Sequence, residues 1–236
     1  MIKEDLIKRS PIRTLEKTLG GGLQAGQLGV ITAWKGVGKT ASLVHIATDI
    51  LLRGQNVLHV SFADDSRHII GWYEQVFREV ARANKLDNAQ DVHDEIIRHR
   101  LILHFKNFET PFAEIKKHIS QVESSWSDSP RLIIVDGFQF DKITKSFLLE
   151  WKEYAAEHQV GIWFSATVHR DNSDVDEFDI PAPINAYRDQ FQVIILLEPL
   201  KEVISFKLLK CNQLTNAPKL QLRLDPKTLL ISNHRV

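Results

Sequence analysis

The chain has 236 residues, of which 43% are hydrophobic and 25% are charged. These fractions are typical of a globular protein and exclude one that is largely disordered. Thirty basic residues balance thirty acidic ones, so the net charge provides no general attraction to nucleic acid or to an anionic membrane, although a local basic patch is compatible with it.

Cysteine content and the opening residues bear on the compartment. The single cysteine, Cys211, has no partner for an internal disulfide, which is typical of a reducing compartment. The first residues, MIKEDLIKRSPI, contain no apolar core long enough for a signal peptide. No apolar run approaches the roughly 20 residues that span a bilayer. We therefore expect a cytoplasmic protein with no membrane association.

Short apolar runs alternate with helical patterns along the chain. The runs that predict strands are 29–33, 57–62, 101–105, 132–135, 161–166, 193–197 and 203–209. Most are nearly continuous in Val, Ile and Leu, which is typical of strands covered by helices on both faces. Amphipathic patterns between them predict helices at 40–53, 66–84, 111–126 and 144–158.

This alternation predicts an α/β fold with a mainly parallel central sheet flanked by helices. The last two strands are separated only by residues 198–202, which predicts a C-terminal antiparallel hairpin. The sequence contains no internal repeat and no low-complexity linker. We interpret residues 1–236 as one domain, with an N-terminal extension at 1–12 and a polar insertion at 84–100.

The first predicted strand leads through AWKGVGKT, at residues 33–40, into the first long helix. We call residues 33–40 the phosphate loop, because they match G-x-x-x-x-G-K-[ST] except for a small alanine in the first position. Its glycines would let main-chain N–H groups converge on an anion at a helix N-terminus. Lys39 would reach the β- and γ-phosphates, and Thr40 would ligate Mg²⁺. The predicted nucleotide-binding residues are Trp34, Lys35, Gly36, Val37, Gly38, Lys39, Thr40 and Ala41.

A second motif, RLIIVD at residues 131–136, predicts the partner of that metal. Asp136 follows four aliphatic residues, and burying a carboxylate without a partner is costly. The alternative is a simple strand-ending turn at Asp136 and Gly137. We predict that Asp136 and Thr40 together hold Mg²⁺.

Segments around these motifs resemble a known family. SPIRTLE at residues 10–16 and LGGGLQAGQL at 19–28 are similar to the segment that precedes the first strand in RecA-superfamily ATPases of the KaiC, RadA and DnaB-helicase type. FSATVHR at 164–170 is similar to the strand and sensor segment of DnaB-type helicases. The resemblance covers residues 10 to about 230. It implies a RecA-like P-loop NTPase core that binds ATP and Mg²⁺ and usually assembles as a ring or filament with ATP between subunits.

The sequence departs from the family where hydrolysis is concerned. The family has a glutamate after the second strand that activates water, but this chain has Ala63 there, and Asp64 is the closest acid. Thr167 replaces the sensor glutamine of the helicases. The helicases have a Lys-x-Arg pair about where this chain has Lys210 and Asn212.

The resemblance therefore implies catalytic roles for Lys39, Asp64 and Thr167. Basic residues that would act on the nucleotide of a neighbouring subunit are Arg170, Arg188 and Lys210. An arginine acting in this way supplies a factor of roughly 10³–10⁵ in rate in GTPases. A misplaced general base loses a further factor of about 10²–10⁴. We expect ATP binding with slow or conditional hydrolysis, although Asp64 or Asp65 could still orient a water.

Two later segments bear on partners. RDNSDVDEFD, at residues 170–179, has five carboxylates and one arginine, and this charge would repel a nucleic-acid backbone. A solvated acidic loop without a role is the alternative. IPAPINAYRD, at 180–189, predicts a stiff segment that docks a partner or a neighbouring subunit, or that simply packs on the core.

Two functions stay open. The first is an ATP-dependent switch or assembly factor that forms a homo-oligomer, binds an unidentified protein partner and hydrolyses ATP slowly. The second is an active DNA-directed ATPase, such as a helicase, a recombinase-like enzyme or a helicase loader. A KaiC-like autokinase is a weaker third interpretation, because the sequence offers no marked phosphorylation site. Adenine is favoured over guanine by the resemblance alone.

Overall fold

The computed structural model describes residues 1–62, 66–106, 109–168, 174–212 and 218–233. Its strands are β1 (Leu28–Trp34), β2 (Val57–Ser61), β3 (Arg100–His104), β4 (Leu132–Asp136), β5 (Gly161–Val168), β6 (Val193–Pro199), β7 (Ile204–Cys211), β8 (Leu222–Leu224) and β9 (Ile231–Asn233). Its α-helices are α1 (Lys3–Arg9), α2 (Ile12–Thr18), α3 (Lys39–Leu52), α4 (Ser66–Asn84), α5 (Ala89–Ile96), α6 (Phe112–Glu123) and α7 (Lys145–Glu157). Two 3₁₀ helices cover Ile97–His99 and Ile184–Gln190.

All of these strands join one sheet in the order β3-β2-β4-β5-β1-β6-β7-β8-β9. The strands from β3 to β6 in this order are parallel, and β6, β7, β8 and β9 pair antiparallel. The predicted α/β fold with a mainly parallel sheet and a C-terminal antiparallel hairpin is confirmed. The hairpin continues into two further strands of three residues each, which are too short to show a pattern in the sequence.

The strand order determines which chain segments meet. Strand β5 lies between β1 and β4, so the phosphate loop after β1 and the aspartate that ends β4 are separated by one strand. Because these strands are parallel, β1, β2, β4 and β5 all end at the same side of the sheet, which we call the carboxyl edge. The opposite side, where they begin, is the amino edge.

Each face of the parallel sheet is covered by helices. Ile31 of β1 belongs to a core with residues of α1, α2, α3 and α4, whereas the adjacent Val30 belongs to a second core with α6 and α7. This alternation of faces explains why the strands read as continuous apolar runs. The stretch predicted as a polar insertion forms α5 and the short 3₁₀ helix, with Val92 and Ile96 buried.

Among the described residues, no helix combines the length and the apolar character that crossing a bilayer requires.

The centre of the sheet depends on close packing between β1 and β5. Gly29 faces Trp163 on the neighbouring strand, and a Cβ atom built at Gly29 would lie 2.6 Å from Cε3 of the indole. The indole is buried in the core formed with the N-terminal helices and α3. The ring therefore has little room to move away from an added methyl group.

We predict that Gly29→Ala destabilises the protein by about 1–3 kcal/mol, because overpacking forces a well-packed core to shift. Urea unfolding followed by circular dichroism measures the change. Gly71→Ala is the matched control: Gly71 lies in α4 with no heavy atom within 4 Å of the added Cβ, so a gain of about 0.5–1 kcal/mol is expected from helix propensity. Equal effects of the two substitutions would contradict the packing argument.

Candidate functional site

The turn between β1 and α3 is built around left-handed glycines. Gly36 and Gly38 have φ angles of 82° and 102°, a region that L side chains rarely adopt. A Cβ at Gly38 would also lie 2.6 Å from Cδ2 of Leu224 in β8. Helix α3 begins directly afterwards with no side chain capping its N-terminus. Its first main-chain N–H groups lack partners within the helix and are available to an anion.

Lys39, the first residue of α3, folds its side chain back over the turn. Its Nζ donates hydrogen bonds to the carbonyl oxygens of Ala33 at 3.2 Å and Trp34 at 3.1 Å. Burial lowers the pKa of Lys39 to about 8, an effect that the nearby Asp136 carboxylate partly opposes. The ammonium group is therefore held at the turn by two carbonyl oxygens, and the Asp136 carboxylate compensates its charge only in part.

This lowered pKa has a consequence for stability. Between pH 8 and 10.5, the ordinary pKa of a lysine, the unfolded chain binds the Lys39 proton more tightly than the native protein does. Burying the charged Lys39 therefore lowers the free energy of unfolding at pH values below 8. This destabilisation decreases as the pH rises from 8 to 10.5. An anion bound at the turn would offset the same cost at neutral pH.

Asp136 lies at the end of β4 and meets the phosphate loop through Thr40. The Thr40 Oγ1 donates a hydrogen bond of 2.9 Å to Oδ2 of Asp136, whose side chain is only 4% exposed. The turn predicted as the alternative is also present: Gly137 has a φ of 75°, and its N–H donates to Oγ of Ser165 at 3.0 Å. A bend at the end of β4 is therefore present beside the contact between Asp136 and Thr40.

The pair of Thr40 and Asp136 has the chemistry of a magnesium site. A hydroxyl and a carboxylate are hard oxygen ligands, and Mg²⁺ typically takes one or two of these from the protein and the rest from phosphate and water. Within the described ranges no group of three or more His, Cys, Asp or Glu residues could hold a metal ion without other ligands. The residues present therefore fit a magnesium ion that arrives with a phosphate.

Other predicted site residues lie near the phosphate loop. Thr167 of β5 is paired in register with Ala33 of β1, so this partly exposed hydroxyl lies at the carboxyl edge beside the loop. Trp34 ends β1 with 43% of its surface exposed, and the exposed Lys35 follows it. Asp64 and Arg170 lie outside the residues that the structure describes, as do Ala63 and Asp65, so their roles stay predictions.

Lys210 and Arg188 lie away from the phosphate loop of their own chain. Lys210 of β7 pairs with Ile194, which pairs with Val30 of β1. Val30 is four residues before the end of β1, about 13 Å along the strand. The Nζ of Lys210 donates a hydrogen bond of 2.6 Å to the Arg188 carbonyl oxygen, which brings the two residues together. The structure thus groups Lys210 with Arg188 and does not bring either residue to the phosphate loop.

The guanidinium of Arg188 is engaged by an acidic segment of its own chain. Its Nη1 lies 3.2 Å from Oδ2 of Asp176 and 3.2 Å from Oε1 of Glu177. Its Cζ lies 4.6 Å from the ring centre of Phe178. The other Asp176 oxygen accepts from the N–H groups of Phe178 and Ile180, at 2.9 and 3.0 Å, and so holds the segment in shape. The acidic run is visible in the sequence, but no pattern there indicates that it pairs with Arg188.

A further network that the sequence analysis missed ties the N-terminal helices to α3. Asp49 of α3 is 3% exposed and forms ion pairs with Arg13 of α2 and Arg53. Glu16 of α2 accepts from both arginines at 2.7 Å. Because α3 begins at the phosphate loop, this network positions the helix that presents Lys39. The SPIRTLE segment, noted only for its resemblance, thus has a structural role.

The comparisons with known proteins agree with this geometry. The family model AAA_25, described as an AAA domain, matches residues 3–144, more than half of the 236 residues. The matched region includes α2, the phosphate loop and Asp136. No curated protein matches the chain. The chain belongs to the AAA_25 family and is, in general terms, a nucleotide-binding P-loop ATPase.

Proposed function

We propose that this P-loop ATPase is a RecA- or KaiC-like ATP-dependent switch or assembly factor, in which binding of ATP and Mg²⁺ matters more than rapid hydrolysis. The single observation that carries this proposal is the engagement of Arg188 by Asp176 and Glu177 of its own chain. To stabilise charge on a neighbour's nucleotide, Arg188 would have to exchange these carboxylates for phosphate oxygens.

The binding half of the proposal rests on the phosphate loop and Asp136. The N–H groups at the start of α3 would receive the β-phosphate, and Lys39 would exchange its two carbonyl acceptors for phosphate oxygens. Thr40 and Asp136 would hold Mg²⁺, which bridges the β- and γ-phosphates and neutralises their charge. Thr40 and Asp136 already contact one another, so the main rearrangement needed on binding would be the turn of the Lys39 side chain from its carbonyl acceptors to the phosphates.

The groups that would catalyse ATP hydrolysis are fewer than those that would bind ATP. Thr167 can give one hydrogen bond to a γ-phosphate or to a water, and Asp64 would have to orient that water with a side chain one methylene shorter than glutamate. A trans arginine contributes roughly 10³–10⁵ in rate where it operates. With Arg188 engaged, we expect hydrolysis to be slow, and to quicken only when a neighbour or partner displaces the acidic segment.

Charge argues against DNA as the activating partner. The segment that engages Arg188 carries four described carboxylates, at Asp174, Asp176, Glu177 and Asp179. Affinity for nucleic acid depends mainly on cations that release counterions from phosphates, and this segment offers the opposite charge. We therefore favour a protein partner or a second copy of the chain.

We further propose that residues 1–236 work as one ATPase domain and assemble into a ring or filament. Strands from residue 28 to residue 233 join a single sheet. Lys210 and Arg188 are remote from the phosphate loop of their own chain, so a shared site between subunits is the arrangement in which they could act.

The first prediction concerns binding and turnover. We expect the protein to bind MgATP and to change its mass in solution on binding. We expect its kcat for ATP hydrolysis to be well below roughly 1 s⁻¹, the lower end of typical enzyme kcat values. Calorimetry, phosphate release and light scattering, each with and without single-stranded DNA, measure these properties. Lys39→Ala should weaken MgATP binding by at least about tenfold, because it removes a charge-assisted contact to phosphate.

Lys117→Ala is the matched control, since Lys117 is an exposed lysine of α6 outside the site. It should bind MgATP as the natural protein does. Turnover above about 1 s⁻¹ that depends on single-stranded DNA would contradict the switch and favour the DNA-directed ATPase.

The second prediction concerns the acidic segment. Replacing the two carboxylates of this segment that pair with Arg188, Asp176→Asn with Glu177→Gln, should raise ATP hydrolysis by about tenfold or more at protein concentrations that favour assembly. The guanidinium would then retain only the exposed Asp189, at 3.7 Å, and could reach a neighbour's phosphate. Asp179→Asn is the control: Asp179 lies in the same segment but pairs with Lys207, at 3.6 Å. Adding Arg188→Ala should abolish the gain. A gain that survives this third substitution would show that the net charge of the segment, not Arg188, governs turnover.

A further inference from the structure

A cleft with a volume of about 700 Å³ lies at the amino edge of the sheet, on the side opposite the phosphate loop. Four connections form its walls: residues 54–56 before β2, 98–99 before β3, 125–131 before β4 and 158–159 before β5. The five residues of β2 span about 17 Å between the two edges. A ligand in this cleft could not contact a nucleotide phosphate held at the phosphate loop.

The cleft has an excess of positive charge. Arg98 and Arg131 line it, and neither side chain forms an ion pair with a described residue. Arg131 is near enough to Glu16 to lower the pKa of that carboxyl, although burial raises it overall. Glu16 also pairs with Arg13 and Arg53, so one carboxylate is shared among three arginines. Asp128 provides the only carboxylate among the described residues that line the cleft.

Hydrogen bonds hold the walls of the cleft in fixed positions. Asn56, which is 8% exposed, donates from Nδ2 to the Asp128 carbonyl oxygen at 2.8 Å. Its Oδ1 lies 2.8 Å from Nδ1 of His99, and its own carbonyl oxygen accepts from the Arg131 N–H at 2.8 Å. One buried amide therefore joins three of the four walls, and a ligand would meet a preorganised surface.

Aromatic groups complete the lining. The Trp126 indole is partly exposed, and its Nε1 donates to the Arg98 carbonyl oxygen at 3.2 Å. His158 lines the far wall with its ring stacked on Tyr154 at 4.0 Å between ring centres. Such rings offer flat surfaces on which a base or a sugar packs, whereas the arginines offer paired donors.

We propose that this cleft binds a compact phosphate ester of mononucleotide size through Arg98 and Arg131, independently of the phosphate loop. The planar guanidinium group matches the geometry of phosphate oxygens. The volume falls within the roughly 300–1,000 Å³ that is typical of small-molecule sites. A nucleic-acid strand would instead require a longer basic groove that tracks several phosphates, and the carboxylate of Asp128 interrupts such a path.

The test uses the Lys39→Ala variant of the whole 236-residue chain, in which binding at the phosphate loop is expected to be weakened, and amide shifts distinguish the cleft from the loop. The probes are AMP, inorganic phosphate and a single-stranded dT oligonucleotide, each titrated while amide shifts are recorded by NMR. The proposal predicts saturable AMP binding, with shifts at residues 98–99 and 125–131, and weaker phosphate binding at the same amides. Arg98→Gln should weaken AMP binding by about tenfold, since one charge-assisted contact is lost.

Arg78→Gln removes an equal charge from an exposed position of α4 outside the cleft and serves as the control; AMP affinity should change by less than about twofold. Because Arg98 is exposed, its replacement does not threaten folding, which thermal unfolding verifies. Equal losses of AMP affinity in the two variants would show that only the net charge of the protein matters, and would overturn the proposal. So would no AMP binding up to about 10 mM, or an oligonucleotide that binds at these amides while AMP does not saturate them.

Discussion

The hydrogen bond between Thr40 and Asp136 is the contact on which the site depends. These residues are 96 positions apart in the chain. They meet because β1 and β4 are parallel strands of one sheet, separated only by β5, so both end at the carboxyl edge. A carboxylate that is 4% exposed is costly without a partner, and Thr40 supplies one. The contact therefore links fold topology to the chemistry of the phosphate loop.

Both ends of the chain brace the phosphate loop. From the N-terminal side, Arg13 and Glu16 tie α2 to α3 through Asp49. From the C-terminal side, Leu224 of β8 packs where a side chain at position 38 would lie. Changes in either segment can therefore alter the loop without any contact with a ligand. This is a physical route by which nucleotide binding and the docking of a partner could influence one another.

The sequence was most informative where a local pattern is compatible with only one kind of secondary structure. Continuous aliphatic runs located the seven long strands to within two residues, and the glycines of the phosphate loop predicted a turn that is now seen to need left-handed φ angles. Strands β8 and β9 were missed because three residues are too few to show a period. The partners of Arg188 and the cleft beside Asn56 could not be found, since both join segments that approach one another only after the sheet has formed.

We propose that a nucleotide-binding site centred on the phosphate loop is combined with reduced hydrolytic machinery. The most direct measurement is a crystal structure of the protein with Mg²⁺ and a non-hydrolysable ATP analogue. The account predicts phosphate density against the N–H groups at the start of α3, a metal ion beside Thr40 and Asp136, and Lys39 turned from its two carbonyl acceptors to the phosphates. A saturated crystal in which the loop is empty, or in which Lys39 still contacts Ala33 and Trp34, would contradict it.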